Sequence, residues 1–145
     1  MILVIEDDRF KFDQISELLI GKAEVRWCRS VHSGVQALSS PGISAIILDM
    51  ALPSHDLAEG GASPASLPSG GLEIIYELSY SNKLLPVIII TQYPEIEIEG
   101  SYVKIDRAAK TVRDLYQIDV VGVVHFKQND QTWRKLFQSM IGRLA

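Results

Sequence analysis

An α/β fold built on a parallel sheet is what this sequence predicts, and three observations carry the prediction. Short, uniformly apolar, branched runs recur along the chain, as strands buried on both faces require. Segments with helical spacing of apolar residues separate them. Strand and helix alternate throughout, the order expected of successive βαβ units with the sheet covered on both sides.

The first strand is the run Met1 to Ile5, and Asp8 follows it as the N-cap of a helix carrying Phe12, Ile15, Leu18 and Leu19. EVRWC at 24–28 is a weaker strand because it alternates; Val31, Val35 and Leu38 then set a second helix. AIIL at 45–48 is the third strand, and Leu72, Ile75 and Leu78 mark the third helix. PVIII at 86–90 is the fourth strand, followed by a helix with Ile105, Ala108, Ala109, Val112, Leu115 and Tyr116 on its apolar face. VVGVV at 120–124 closes the set of strands, with a glycine inside it. The last helix is the clearest, carrying Trp133, Leu136, Phe137, Met140, Ile141 and Leu144, with Asn129 or Asp130 available as N-cap. Five strands and five helices fill residues 1–145, so a single domain without internal repeats is expected.

Two segments break the rhythm. SHDLAEGGASPASLPSGG, residues 54–71, is rich in Gly, Ser, Ala and Pro and has no periodicity. It reads as an inserted flexible loop which, starting five residues after Asp49, gates access to that residue. QYPEIEIEGS, within an acidic insertion over 92–102, alternates with period two from Glu95 to Glu99, like an edge strand or the arm of a half-buried hairpin.

Composition narrows the function classes. The chain has 145 residues, 47% hydrophobic and 22% charged, with a net charge of -4. That is ordinary globular composition, and it lacks the concentrated basic patch that nucleic acid or an anionic membrane requires. A single cysteine, Cys28, allows no internal disulfide and fits a reducing compartment. The opening MILVIEDD does not read as a signal peptide, and no apolar run is long enough to span a bilayer, so a soluble cytoplasmic protein is expected.

The polar residues that end the strands carry the chemistry. The first strand ends in Glu6, Asp7 and Asp8, the third in Asp49, the fourth in Thr91, and the fifth, extended as VVHFK, in Lys127. In an open parallel sheet, ligands bind at the carboxyl ends of the strands. Clustered carboxylates repel one another and call for a cation; hard oxygen donors without histidine or thiolate suit Mg²⁺. A carboxylate can also accept a phosphoryl group as an acyl phosphate, with Mg²⁺ and Lys127 countering the charge and Thr91 binding a further oxygen.

Taken together these motifs resemble the receiver domain of two-component response regulators. VIEDD is similar to that family's acidic pair after the first strand. LDMALP is similar to its phosphoacceptor segment, proline included, and GGLEII at 70–75 to the glycine and helix start that follow. IIIT is similar to its switch hydroxyl segment and VVHFK to its fifth-strand lysine segment. The resemblance follows the whole chain in order. It implies a flavodoxin-like (CheY-like), doubly wound five-stranded parallel sheet in the order 2-1-3-4-5 with helices on both faces. It also implies phosphorylation on Asp49 with Mg²⁺ held by Asp7, by Asp49, by the backbone carbonyl of Ala51, and by Glu6 through a metal-bound water. Lys127 would pair with the phosphoryl group, and Thr91 would swing toward it. The phosphodonor would be a histidine kinase or a small acyl phosphate. The output would be a protein partner in trans, met by a face over roughly 103–144, and a homodimer is a further candidate assembly.

The sequence departs from the family pattern at four places. Gly71 stands far beyond Asp49, Gln92 replaces a small residue, Val124 stands at an aromatic position, and Gln128 replaces a proline. These keep a second reading open, a receiver fold that serves as a phosphorylation-independent interaction module. A third, a Mg²⁺-dependent phosphohydrolase with an aspartyl nucleophile, expects an acid/base aspartate two residues on, where this chain has Ala51. The expected protein is therefore a phosphoacceptor with at most slow autodephosphorylation rather than an enzyme.

Overall fold

The computed structural model describes residues 1–56, 66–67 and 70–144. Most of the 54–71 insertion, and with it the expectation of a flexible gate, lies outside the described residues.

In chain order the elements are β1 (Ile2–Ile5), α1 (Arg9–Leu19), β2 (Val25–Cys28), α2 (Val31–Leu38), β3 (Ala45–Leu48), β4 (Leu52–Pro53), β5 (Ser66–Leu67), α3 (Gly70–Tyr80), β6 (Val87–Thr91), β7 (Glu95–Ile98), β8 (Ser101–Lys104), α4 (Ile105–Tyr116), β9 (Val120–His125) and α5 (Thr132–Gly142). The central sheet is parallel and runs β2-β1-β3-β6-β9, which is the order 2-1-3-4-5 when only its own strands are counted. Three of the apolar runs become the inner strands β1, β3 and β6, each covered on both sides, and the fourth, β9, forms one edge. Leu3, Ile5, Ile46 and Leu48 pack with Ala37, Ile74, Leu78, Ala108 and Val112 from α2, α3 and α4. Val4, Ile47, Ile88 and Ile90 pack with Ile15 and Leu19 of α1 and Trp133 and Phe137 of α5. EVRWC alternates because β2 is the opposite edge strand.

Local chemistry sets the helix starts. The Asp8 carboxylate accepts the Phe10 N–H at 3.0 Å and caps α1 as expected. Ser30 caps α2 in a reciprocal pair of bonds with Ser33. At α5 the cap position falls to Gln131, whose side chain makes no capping bond; Asp130, one residue earlier, accepts the Thr132 N–H at 2.8 Å instead. That bond holds the Asp130 carboxyl below its usual range.

The acidic insertion is a folded hairpin. β7 and β8 pair antiparallel in a two-stranded sheet of their own, so the alternating arm is not an edge strand of the main sheet. The two turn residues, Glu99 and Gly100, both have positive φ (52° and 80°), the geometry of a tight hairpin turn that glycine accommodates best. The period-two pattern has a direct cause: Ile96 and Ile98 are buried against the α4 side of the core, while Glu95 is exposed and Glu97 half-buried.

The long insertion does not displace α3 from the third strand. The Gly71 N–H donates to the Met50 carbonyl at 2.8 Å, so the helix begins against the residues that follow β3. A Cβ on Gly71 would lie 2.7 Å from the Asp49 carbonyl oxygen, and one on Gly70 would lie 2.6 Å from that of Leu52. Gly71→Ala is therefore expected to lower stability by about 1–3 kcal/mol through overpacking against backbone. Gly142→Ala, where a Cβ meets nothing within 4 Å, should cost nothing; urea denaturation of both variants checks the difference.

Candidate functional site

The parallel register places the site. Ile5 pairs with Leu48, so the residues one step on, Glu6 and Asp49, emerge side by side at the carboxyl edge of the sheet. Leu48 pairs with Ile89, which sets Ile90 level with Asp49 and Thr91 one residue beyond. Oxygens of Glu6, Asp7 and Asp49 come within 4.8 Å of one another. Glu6 and Asp49 are buried, at 1% and 5% exposure, and Asp7 is half-buried.

Side chains hold the backbone at Glu6 and Asp7, and backbone N–H groups hold the carboxylates of Glu6 and Asp49. The Trp27 indole N–H donates to the Glu6 carbonyl at 2.6 Å, and the Arg29 guanidinium donates to the Asp7 carbonyl at 3.1 Å. The Asp8 N–H donates to Glu6 Oε2 at 3.2 Å, and the Ala51 N–H to Asp49 Oδ1 at 3.2 Å. Thr91 is buried, and its Oγ1 accepts the Tyr93 N–H at 3.2 Å.

The cation at the centre of the cluster is Lys11. This lysine is fully buried, with Nζ 2.6 Å from Glu6 Oε1 and 3.3 Å from Asp49 Oδ1, and it donates to the Ile90 carbonyl at 3.0 Å. It is the charge that faces Glu6 Oε1, for which no other donor is found among the described residues. The Phe126 ring lies 5.8 Å from the ammonium. The strip Lys11, Ile15 and Leu19 forms the buried face of α1, and this is the signal that sequence reasoning passed over: Lys11 stands four residues before Ile15, on the apolar stripe.

Lys127 is exposed and lies two residues beyond the end of β9. It lines a cleft of about 250 Å³ with Asp8, Phe10, Gln92, Phe126 and Gln128. Among the described residues it forms no ion pair with Asp49. The residue paired with Thr91 at the end of β9 is His125, whose Nε2–H donates to the Gln92 carbonyl at 3.1 Å. Val124 is core, paired with Ile90, and the nearby aromatic, Phe126, is buried against Trp133.

Burial and crowding shift the protonation of the cluster. Burial is the main cause that pushes the Glu6 carboxyl up to about 9; the Lys11 charge opposes the shift and the Asp49 charge adds to it. Burial and then the Asp49 charge raise Asp7. Burial alone would lower the Lys11 ammonium, but Asp49 and Glu6 outweigh it and hold the pKa above its ordinary value. Three carboxylates whose oxygens meet within 4.8 Å, with no imidazole or thiolate among them, fit a hard divalent cation such as Mg²⁺.

Fold and strand-end site together define a CheY-like receiver. The fold matches a CheY-like response-regulator receiver from Methanospirillum hungatei with a TM-score of 0.64 at 16% identity, over 99% of this chain and 91% of that one. It matches the NtrX receiver domain of Brucella abortus at 0.62 and 16%, over 98% of each chain. It also matches a CheX-CheY-BeF3-Mg+2 complex from Borrelia burgdorferi at 0.65 and 13%, over 99% and 88%. No protein-family model matches the sequence. Among curated proteins, the Detocs response regulatory protein DtcB of Vibrio alginolyticus is 40% identical over 141 residues, which cover 93% of this chain and 95% of that one. The chain belongs to the response-regulator family. Among the described residues no helix is long and apolar enough to cross a membrane.

The Glu6 shift predicts a pH dependence for the protein held in a chelator. Unfolded, this carboxyl titrates near 4.5; folded, it does so near 9. Between those values the native state holds a proton that the unfolded chain has released. The stability linked to Glu6 is therefore complete below the lower value and is lost as pH rises toward the upper one. Urea midpoints across that interval should fall with pH, and Glu6→Gln should flatten the slope.

Proposed function

We propose that this chain is a receiver phosphorylated on Asp49 in a Mg²⁺-dependent reaction, signalling to a protein partner in trans. The observation that carries this reading is the meeting of Glu6, Asp7 and Asp49 from two adjacent strands within 4.8 Å at the carboxyl edge of the sheet. Asp7, Asp49 and the Ala51 backbone carbonyl would hold Mg²⁺ directly, with Glu6 acting through a bound water. The bound ion supplies positive charge to the phosphoryl oxygens.

The protein's own groups account for the rest. Asp49 Oδ1 is held by Lys11 and the Ala51 N–H, so attack falls to Oδ2. Its oxygen forms the new O–P bond as the donor's P–N or P–O bond breaks, giving an acyl phosphate. A leaving imidazole takes up a proton; a leaving carboxylate keeps the bonding pair and needs none. Thr91 Oγ1 would turn from the Tyr93 N–H to donate to a phosphoryl oxygen. Lys127, exposed at the mouth of the cleft, would draw in the anionic donor and meet the phosphoryl group from outside. A histidine kinase or a small acyl phosphate fits the donor role. The added charge then shifts a two-state equilibrium read by a partner. The kinship with a response regulatory protein supports a signalling module rather than a turnover enzyme, and the CheX-CheY-BeF3-Mg+2 complex supports both a metal and a protein partner.

The second reading, a phosphorylation-independent docking module, has one observation in its favour. The segment after Thr91 is pinned by buried Ile96 and Ile98, and the Glu99 carboxylate accepts the Tyr76 and Tyr116 hydroxyls at 3.1 and 2.5 Å.

Intact-protein mass spectrometry after incubation with acetyl phosphate tests the reading. A phosphoryl adduct is expected on the wild-type chain, absent in Asp49→Ala and without Mg²⁺. Adduct formation with unchanged affinity for the partner would favour the docking module, and no adduct at all would overturn phosphorylation on Asp49.

A further inference from the structure

We infer that Lys11, delivered from the first helix, is a second cation for the phosphoryl group, held inside the site while Lys127 stands at its rim. The inference rests on the reading of Asp49 as phosphoacceptor and names the residue that manages its charge.

Three features of the site lead to it. Lys11 Nζ is the described cation in ion-pair contact with Asp49, at 3.3 Å from Oδ1. The side chain is fully buried, and an ammonium so placed is tolerated only where its donors are matched. Here three acceptors from three strands face it: Glu6 Oε1 from the end of β1, Asp49 Oδ1 from the end of β3 and the Ile90 carbonyl from β6. The helix register fixes it there, because Ile15 and Leu19 anchor the same face in the core. Lys127, by contrast, is exposed at the rim of the cleft.

The arrangement also gives Lys11 a mechanical role. Its bond to the Ile90 carbonyl ties Asp49 to the strand that leads through Thr91 into the β7–β8 hairpin. Phosphorylation replaces one carboxylate oxygen's charge with a dianionic group. The ammonium, already at Oδ1, follows that charge, and its hold on Ile90 and Glu6 loosens. The end of β6 is then freed at the point where the hairpin departs.

The test uses the full chain and acetyl phosphate with Mg²⁺. Lys11→Met is expected to slow adduct formation roughly 10²-fold, as loss of a preorganised charge partner does, with partial recovery in Lys11→Arg. Lys135→Ala, at an exposed lysine of α5, should leave the rate unchanged. Far-UV circular dichroism and a Mg²⁺ titration of tryptophan emission, with Trp27 reporting through its bond to Glu6, separate loss of the charge from loss of the fold. A measurement on the unaltered protein stands beside the variants. The ¹⁵N resonance of the buried Lys11 ammonium should shift when beryllium fluoride and Mg²⁺ are added, whereas that of the exposed Lys135 should not. Wild-type rates in Lys11→Met, or an unmoved Lys11 resonance beside a bound beryllium fluoride, would each overturn the inference. A wild-type chain that takes up neither acetyl phosphate nor beryllium fluoride would overturn the phosphoacceptor reading itself, and the inference with it.

Discussion

Two carboxylates buried side by side at the edge of a wholly apolar sheet are the constraint around which this protein is arranged. Glu6 and Asp49 are fixed there by strand register, and neither can remain as an isolated charge in so little water. The fold answers in two ways. Burial lets Glu6 keep a proton up to about 9, and α1 delivers an ammonium to the remaining charge. The position of α1 is thus tied to the chemistry at the strand ends. Its apolar face seats in the core through Ile15 and Leu19, and the same face carries Lys11 to the cluster.

The supports around the cluster follow the same logic. Trp27 and Arg29 reach from the edge strand to the carbonyls of Glu6 and Asp7, and Phe12 stacks on Trp27 with ring centroids 4.0 Å apart. On the other side, Gly70 and Gly71 let α3 close against the backbone just after Asp49, so a long insertion enters and leaves without opening the floor of the site. β6 and β9 are joined beyond the sheet by Phe126 N–H to the Thr91 carbonyl at 2.8 Å and by His125 to Gln92. The segment leaving Thr91 is therefore held at its start by β9 and further on by the hairpin's own apolar side chains.

Much of the fold was legible from periodicity alone. AIIL at 45–48 forms β3 with those limits, and the branched runs at the other strand positions all joined one sheet in the expected order. The apolar stripe from Ile105 to Tyr116 forms α4 over that full range. The EIEI alternation allowed an edge strand or a half-buried hairpin arm, because period two reports one buried face whatever sheet the strand joins. Which sheet it joins depends on what its isoleucines meet, and those contacts come from α4. Gly71 looked displaced because spacing along the chain was counted where spacing in space decides. Lys127 was read at the site from its place at a strand end, and it lines the neighbouring cleft. Lys11 was overlooked because a lysine beside apolar helix positions ordinarily points its charge to water.

By itself, then, the sequence determined the α/β architecture and the carboxylate-rich edge, since these follow from local periodicity and from residue types at strand ends; the strand order came from the resemblance to receiver domains. Only the tertiary structure decided which charges meet. That choice depends on register between strands far apart in the chain and on the rotation of α1 against the sheet. A side chain four residues off an apolar anchor is carried inward whether or not it is apolar, and it stays there when buried carboxylates wait to receive it.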